Sequence, residues 1–118
     1  MADAGLFIGW GEVVRGRESE AIELFNETLG YYGRLQEEGT IESFEPVFLE
    51  PHGGDLNGFI LIQGDAEKLA ALRVSDEFTQ FSLRATLVVN GFGVVGADLA
   101  ERLQSQMEYY TEQIAAFA

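Results

Sequence analysis

Leu56-Asn57-Gly58-Phe59-Ile60-Leu61-Ile62-Gln63 is the stretch that decides the fold. Its aromatic and β-branched residues mark a strand. The run from Phe59 to Ile62 has no polar face, so the strand is buried on both sides and belongs at the centre of a sheet. Pro51-His52-Gly53-Gly54-Asp55, immediately before it, is turn chemistry. Ile41 to Glu50, before the turn, reads as the strand that pairs with it in a hairpin. Pro46 sits inside this second strand and has no N–H to give, which sends the strand to a sheet edge or a bulge.

Working outward, Leu6 to Val14 is a further β-branched and aromatic run, with Gly9 and Gly11 at alternate positions. From Arg17 to about Glu38 the apolar residues Ile22, Phe25, Leu29, Tyr32 and Leu35 recur every three or four residues. Glu18 and Glu20 stand in the first turn, where the helix dipole favours acids, and Gly39 is placed to end the helix. Asp65 suits the N-cap of a second helix carrying Leu69 and Leu72 inward. Ser75-Asp76-Glu77 suits a second cap after a break near Val74, followed by Phe78, Phe81 and Leu83 to Leu87. Asn90-Gly91 fits either the end of that helix or a type I′ hairpin. The helical phase from Phe78 through Phe81, Ala85 and Val88 or Val89 keeps one face apolar and favours the helix end, with Phe92 to Ala97 as a fourth strand. A last helix spans about Asp98 to Phe117, with Leu99, Leu103, Met107, Tyr110, Ile114 and Phe117 in one stripe.

Strand, helix, strand, strand, helix, strand is the split β-α-β order of an α+β fold. Right-handed crossovers put strands 1 and 3 in the centre, parallel, and strands 2 and 4 at the edges of a four-stranded antiparallel sheet. Both helices then lie on one face, and the other, apolar face needs a cover. The C-terminal helix folded beneath it or the same face of a second copy about a two-fold axis would serve.

The chain has 118 residues, 20 acidic and 7 basic, for a net charge of -13, and 47% hydrophobic content, which suits one globular domain over 1–118 with 98–118 as a helical extension. Such a surface repels phosphate backbones and anionic bilayers, and no basic patch offsets it, so nucleic acid and membrane are not expected partners. No apolar run approaches the roughly 20 residues of a membrane span, and Met1-Ala2-Asp3-Ala4 lacks the basic and apolar regions of a leader, which gives a cytoplasmic expectation. The absence of cysteine excludes disulfides and thiol chemistry, and a single histidine excludes a multi-histidine metal cage within one chain. No metal and no cofactor is expected.

In element order, element lengths and the second helix restarting at Ser75-Asp76-Glu77-Phe78, the run from Leu6 to Ala97 resembles the dimeric α/β-barrel superfamily, which is ferredoxin-like. That superfamily includes antibiotic-biosynthesis monooxygenases, haem-degrading monooxygenases, muconolactone isomerase-like and YCII-like proteins, and members of unknown function. The resemblance implies a homodimer and leaves room for a higher oligomer. It implies no haem ligation in the style of the haem-degrading members, whose iron-binding histidine lies on the second helix, since residues 65–89 contain none.

Among single residues, His52 is the side chain whose ordinary pKa lies nearest neutrality, a candidate acid or base, although a turn histidine is commonly just solvated. Glu12 and Trp10 share a strand face with Leu6 and Ile8, while Gly9 and Gly11 leave the other face bare, a possible pocket floor. A carboxylate on such a face would suit proton abstraction, or it would pair with Arg15, Arg17 or Arg84. Trp10, Tyr32, Phe59 and Phe81 are the candidate ligand contacts, in a pocket between the sheet and its two helices; aromatics at such spacing also serve as plain core. Gly91-Phe92-Gly93-Val94-Val95-Gly96 spells G-x-G-x-x-G, yet its glycines lie within the fourth strand, outside the strand-to-helix turn that a dinucleotide needs. Two readings result. One is a binder of a small apolar or aromatic molecule without a catalytic motif. The other is a cofactor-independent monooxygenase or isomerase acting on a phenolic or carbonyl compound, with Glu12 or His52 as base.

Overall fold

The computed structural model describes residues 2–117. Its elements are β1 (Ala4–Trp10), α1 (Glu18–Glu37), β2 (Ser43–Phe48), β3 (Gly58–Gly64), α2 (Ala66–Arg73), α3 (Asp76–Val88), β4 (Gly93–Asp98) and α4 (Ala100–Ala116). The four strands form one sheet in the order β2-β3-β1-β4, and the arrangement is α+β and ferredoxin-like. Every neighbouring pair is antiparallel, with Ile8 opposite Ile60 on one side and Val94 on the other. β1 and β3 are central, but they run antiparallel where the sequence suggests parallel. The α1 crossover leaves β2 running in the same direction as β1, and the hairpin that follows reverses β3.

Pro46 lies in β2, which pairs with β3 alone and so forms an edge that asks no second ladder of the proline. β1 stops at Trp10, sooner than its apolar run. Beyond it the Gly11 N–H donates to the Asn90 carbonyl at 2.7 Å and Val13 bridges to Val89. A Cβ on Gly11 would stand 2.8 Å from the Asp55 carbonyl and 2.9 Å from that of Asn90, so only glycine lets these two loops close around the strand end. Asp65 caps α2 by accepting the Lys68 N–H at 3.1 Å. α3 ends at Val88 and the chain reverses through Gly91 at φ +65°, so Asn90-Gly91 closes a helix and not a hairpin.

Strand alternation sorts the sheet into two faces. Leu6, Ile8, Trp10, Phe44, Ile60, Ile62 and Val94 face the helices, and with Tyr31, Tyr32, Leu35, Leu69, Leu72 and Phe78 they make the core. Phe7, Val47, Phe59, Leu61 and Val95 face the other way, where no element among the described residues covers them; Val95 is 55% exposed. α4 does not fold beneath this face. It has no buried residue, and Leu103, Met107, Tyr110 and Ile114 stand in solvent. The side chain of Leu99 lies against Gly5 on the uncovered face, so the apolar stripe of α4 continues that surface.

Candidate functional site

The site begins with small residues at facing positions. Ala21 on α1 and Ser82 and Ala85 on α3 turn toward the sheet where larger side chains would fill the layer, and a cavity of about 580 Å³ remains between α1, α3 and the sheet. Ile8 and Ile60 form its floor, and Trp10, Phe25, Tyr32, Phe48, Phe81 and Phe92 supply aromatic walls. Such size and lining are typical of a small-molecule site.

The walls are fixed by packing. Trp10 lies over Gly58, where a Cβ would come within 2.7 Å of its ring, and meets Phe25 and Phe48 edge-on with centroids 6.0 and 6.1 Å away. Phe25 and Phe48 are 5.0 Å apart and complete the triad. On the opposite side Tyr31 and Phe81 stack at 4.7 Å and join α1 to α3, with Arg34 over the Tyr31 ring and Arg84 over Phe81. The same arginines reach across the helices, Arg34 to Glu77 at 2.7 Å and Arg84 to Glu27 at 2.6 Å. These pairs are exposed and contribute little energy, so the stacked rings carry more of the spacing between the helices.

The sequence candidates separate in space. Trp10, Tyr32 and Phe81 come together on the cavity wall. Phe59 lies on the opposite sheet face, stacked on Phe7 at 5.0 Å. Phe7 and Leu56 also occupy the space that Gly9 leaves, its absent Cβ being 2.7 Å from the Phe7 ring, so the glycines do not floor a pocket. Glu12 lies beyond the end of β1, exposed and outside the cavity lining, and Arg84, a possible partner for it, pairs with Glu27. His52 is exposed in the β2–β3 loop and turned onto its own loop, with Nε2 2.7 Å from the Leu56 carbonyl and Nδ1 accepting the Gly54 N–H at 3.1 Å. Nε2 therefore carries the proton, and the imidazole braces the turn. The sequence reading does not assign Phe25, Phe48, Phe92 or Ala85 to the site, and the structure places all four on the cavity lining. The available signal was Ala21 and Ala85, small residues within otherwise apolar helix faces.

Polar groups at the cavity are few. Glu18 is exposed and accepts the Gly16 N–H at 3.0 Å, and the Thr28 hydroxyl donates to the Leu24 carbonyl at 2.7 Å. Tyr32 is 3% exposed, and burial pushes its phenol pKa well up, with Tyr31 adding to the effect. Burial likewise raises Tyr31. A phenol raised on folding contributes stability that is fully present below the unfolded value, about 10, and is lost as pH rises toward the folded value. Urea melts should therefore be flat near neutrality and lose midpoint above about pH 10, and the loss should be smaller in Tyr32→Phe. An identical alkaline slope in that variant would count against this account. Among the described residues no group of three or more His, Asp or Glu side chains is placed to hold a metal ion, and no helix is long and apolar enough to cross a membrane.

No protein-family model matches the chain, and no curated protein matches its sequence. Solved structures do match. A dimeric ferredoxin-like protein of unknown function from Jannaschia sp. CCS1 superposes with a TM-score of 0.60 at 14% identity, covering 82% of this chain and 98% of its own. A dimeric protein of unknown function and ferredoxin-like fold from Bacteroides fragilis NCTC 9343 gives 0.58 at 10% identity, covering 81% and 96%. SnoaB, a cofactor-independent oxygenase from Streptomyces nogalater, gives 0.54 at 16% identity, covering 84% and 95%. At these identities the likeness is one of fold, and the ferredoxin-like fold of the first two is what this chain shares with them.

Proposed function

We propose that the protein binds a small apolar or aromatic molecule in the cavity between α1, α3 and the sheet, and that it does so as a homodimer paired through the uncovered sheet face. The observation that carries the binding reading is the cavity itself, about 580 Å³ of space walled by six aromatic side chains over an isoleucine floor. The pairing reading is supported by Phe7, Phe59, Leu61 and Val95 on a face that no element among the described residues covers, and by the dimeric neighbours of the same fold. A second copy laid on this face also meets the stripe of α4, which starts from it at Leu99.

The binding reading is tested with N-phenyl-1-naphthylamine, an uncharged probe that fluoresces in apolar surroundings. The wild type is expected to bind it at micromolar concentration. Ala85→Phe, which fills the cavity from α3, is expected to reduce affinity at least about tenfold while the thermal midpoint stays within a few degrees. Equal binding by the two proteins would remove the cavity as the site. Catalysis by Glu12 or His52 draws no support from their positions, since neither lines the cavity.

A further inference from the structure

We propose that the Tyr32 hydroxyl is the hydrogen-bond donor that fixes the ligand inside the cavity, and that the ligand is an uncharged, mostly hydrocarbon compound bearing a carbonyl oxygen. This rests on the cavity being a binding site and says what enters it.

Tyr32 is 3% exposed, yet among the described residues no side-chain hydrogen bond involves its hydroxyl, and no buried polar side-chain atom there is left both sealed and unpaired. The oxygen therefore keeps a little open surface, and the space that Tyr32 borders is the cavity. Side chains on a helix lean toward its N-terminus, which carries Tyr32 from its own turn of α1 toward the level of Phe25 and Thr28, residues that line the cavity with it. A phenol held in apolar surroundings without a partner forgoes one to several hydrogen-bond energies, and a guest that accepts its proton recovers them.

The rest of the lining restricts that guest. No lysine or arginine borders the cavity, its single carboxylate, Glu18, stands at the exposed rim, and the chain carries a net charge of -13, so a carboxylate or phosphate would enter unpaired and against the field. The Thr28 hydroxyl is already committed to the Leu24 carbonyl. Ser82, half-buried on α3, is the other hydroxyl of the lining without a protein partner among the described residues, and it lies nearer solvent. A ketone brings an acceptor for Tyr32 and no donor of its own that would need a second buried partner, which a ligand hydroxyl or amide would.

The experiment is calorimetric titration of wild type and Tyr32→Phe with three probes of one shape: 2-acetylnaphthalene, 2-ethylnaphthalene and 2-naphthoate. The wild type is expected to bind the ketone at least about tenfold more tightly than the hydrocarbon, with the anion weakest. In Tyr32→Phe the two uncharged probes are expected to bind alike, at about the wild-type affinity for the hydrocarbon, and the thermal midpoint should not fall, because an unpaired hydroxyl has been removed. A wild type that does not prefer the ketone, a preference that survives in Tyr32→Phe, or tightest binding of 2-naphthoate would overturn the inference and leave the cavity standing. Failure of every uncharged probe, N-phenyl-1-naphthylamine included, would instead remove the cavity reading and this inference with it.

Discussion

Val95→Glu is expected to turn a dimer into a monomer. Val95 lies on the uncovered face of β4, opposite Phe7, and is 55% exposed in the single chain, so a glutamate there leaves the subunit's own core intact. In a two-fold pairing of these faces the change enters twice, placing two carboxylates among Phe7, Phe59 and Leu61 with no basic partner on that face. Burying unpaired charge costs several kcal/mol, so the dissociation constant should rise at least about a hundredfold. Sedimentation velocity near 10 µM (roughly, chosen to lie above a micromolar dissociation constant) should show wild type near twice the monomer mass and the variant at the monomer mass, with matching far-ultraviolet spectra. A variant that stays dimeric at unchanged affinity would mean that some other surface joins the subunits.

The second large effect belongs to Gly58. A methyl group there would lie 2.7 Å from the Trp10 ring and 2.8 Å from the Val47 carbonyl, and the latter is backbone of the paired strand and cannot rotate away. Gly58→Ala must push β2 off β3 or tip the indole out of its place beside Phe25 and Phe48. Either costs about 1–3 kcal/mol, the range for overpacking a tight site. Gly93→Ala in β4 is the matching control, since a Cβ there meets nothing within 4 Å, and it should be neutral or slightly stabilising through reduced freedom of the unfolded chain. Thermal melts followed by the emission of Trp10, the sole tryptophan, should show Gly58→Ala lowered by several degrees and Gly93→Ala level or raised. Equal midpoints for the two would show that the Trp10 side of the sheet yields more readily than its contacts imply.

Much of the fold could be read directly from residue types. The unbroken apolar run at Phe59 to Ile62 gave the central strand, Pro46 gave the edge and Asp65 gave a helix start, because each is a local chemical constraint that acts the same way in most surroundings; the restart does fall at Ser75, but its hydroxyl donates to the Leu72 carbonyl and does not cap α3. The direction of β3 against β1 was harder, since it follows from the path of the whole chain and not from any one segment. The cover of the sheet stayed open for a related reason. The stripe of α4 calls for burial, but periodicity does not say whether the cover lies in the same chain. At the site, Trp10, Tyr32 and Phe81 were legible as aromatics on inward faces, while Phe59 has the same character and lies on the reverse side, because strand parity decides the face and the strand's first residue sets the parity. The cavity itself was hidden, as empty space is written in the sequence only by small residues such as Ala21 and Ala85, which look like any helix alanine until their neighbours are known.

Alternation along β1 carries one more consequence. Ile8 and Trp10 border the cavity, whereas Phe7 and Gly9 belong to the uncovered face, so consecutive residues of one strand serve two surfaces that share no side chain. On the proposed reading, substitutions at even-numbered positions of β1 would reshape the guest's enclosure and those at odd-numbered positions the contact between copies. If the cavity holds a guest and the uncovered face a second copy, the choice of guest and the choice of partner can drift separately, each by single residue changes that the other need not notice.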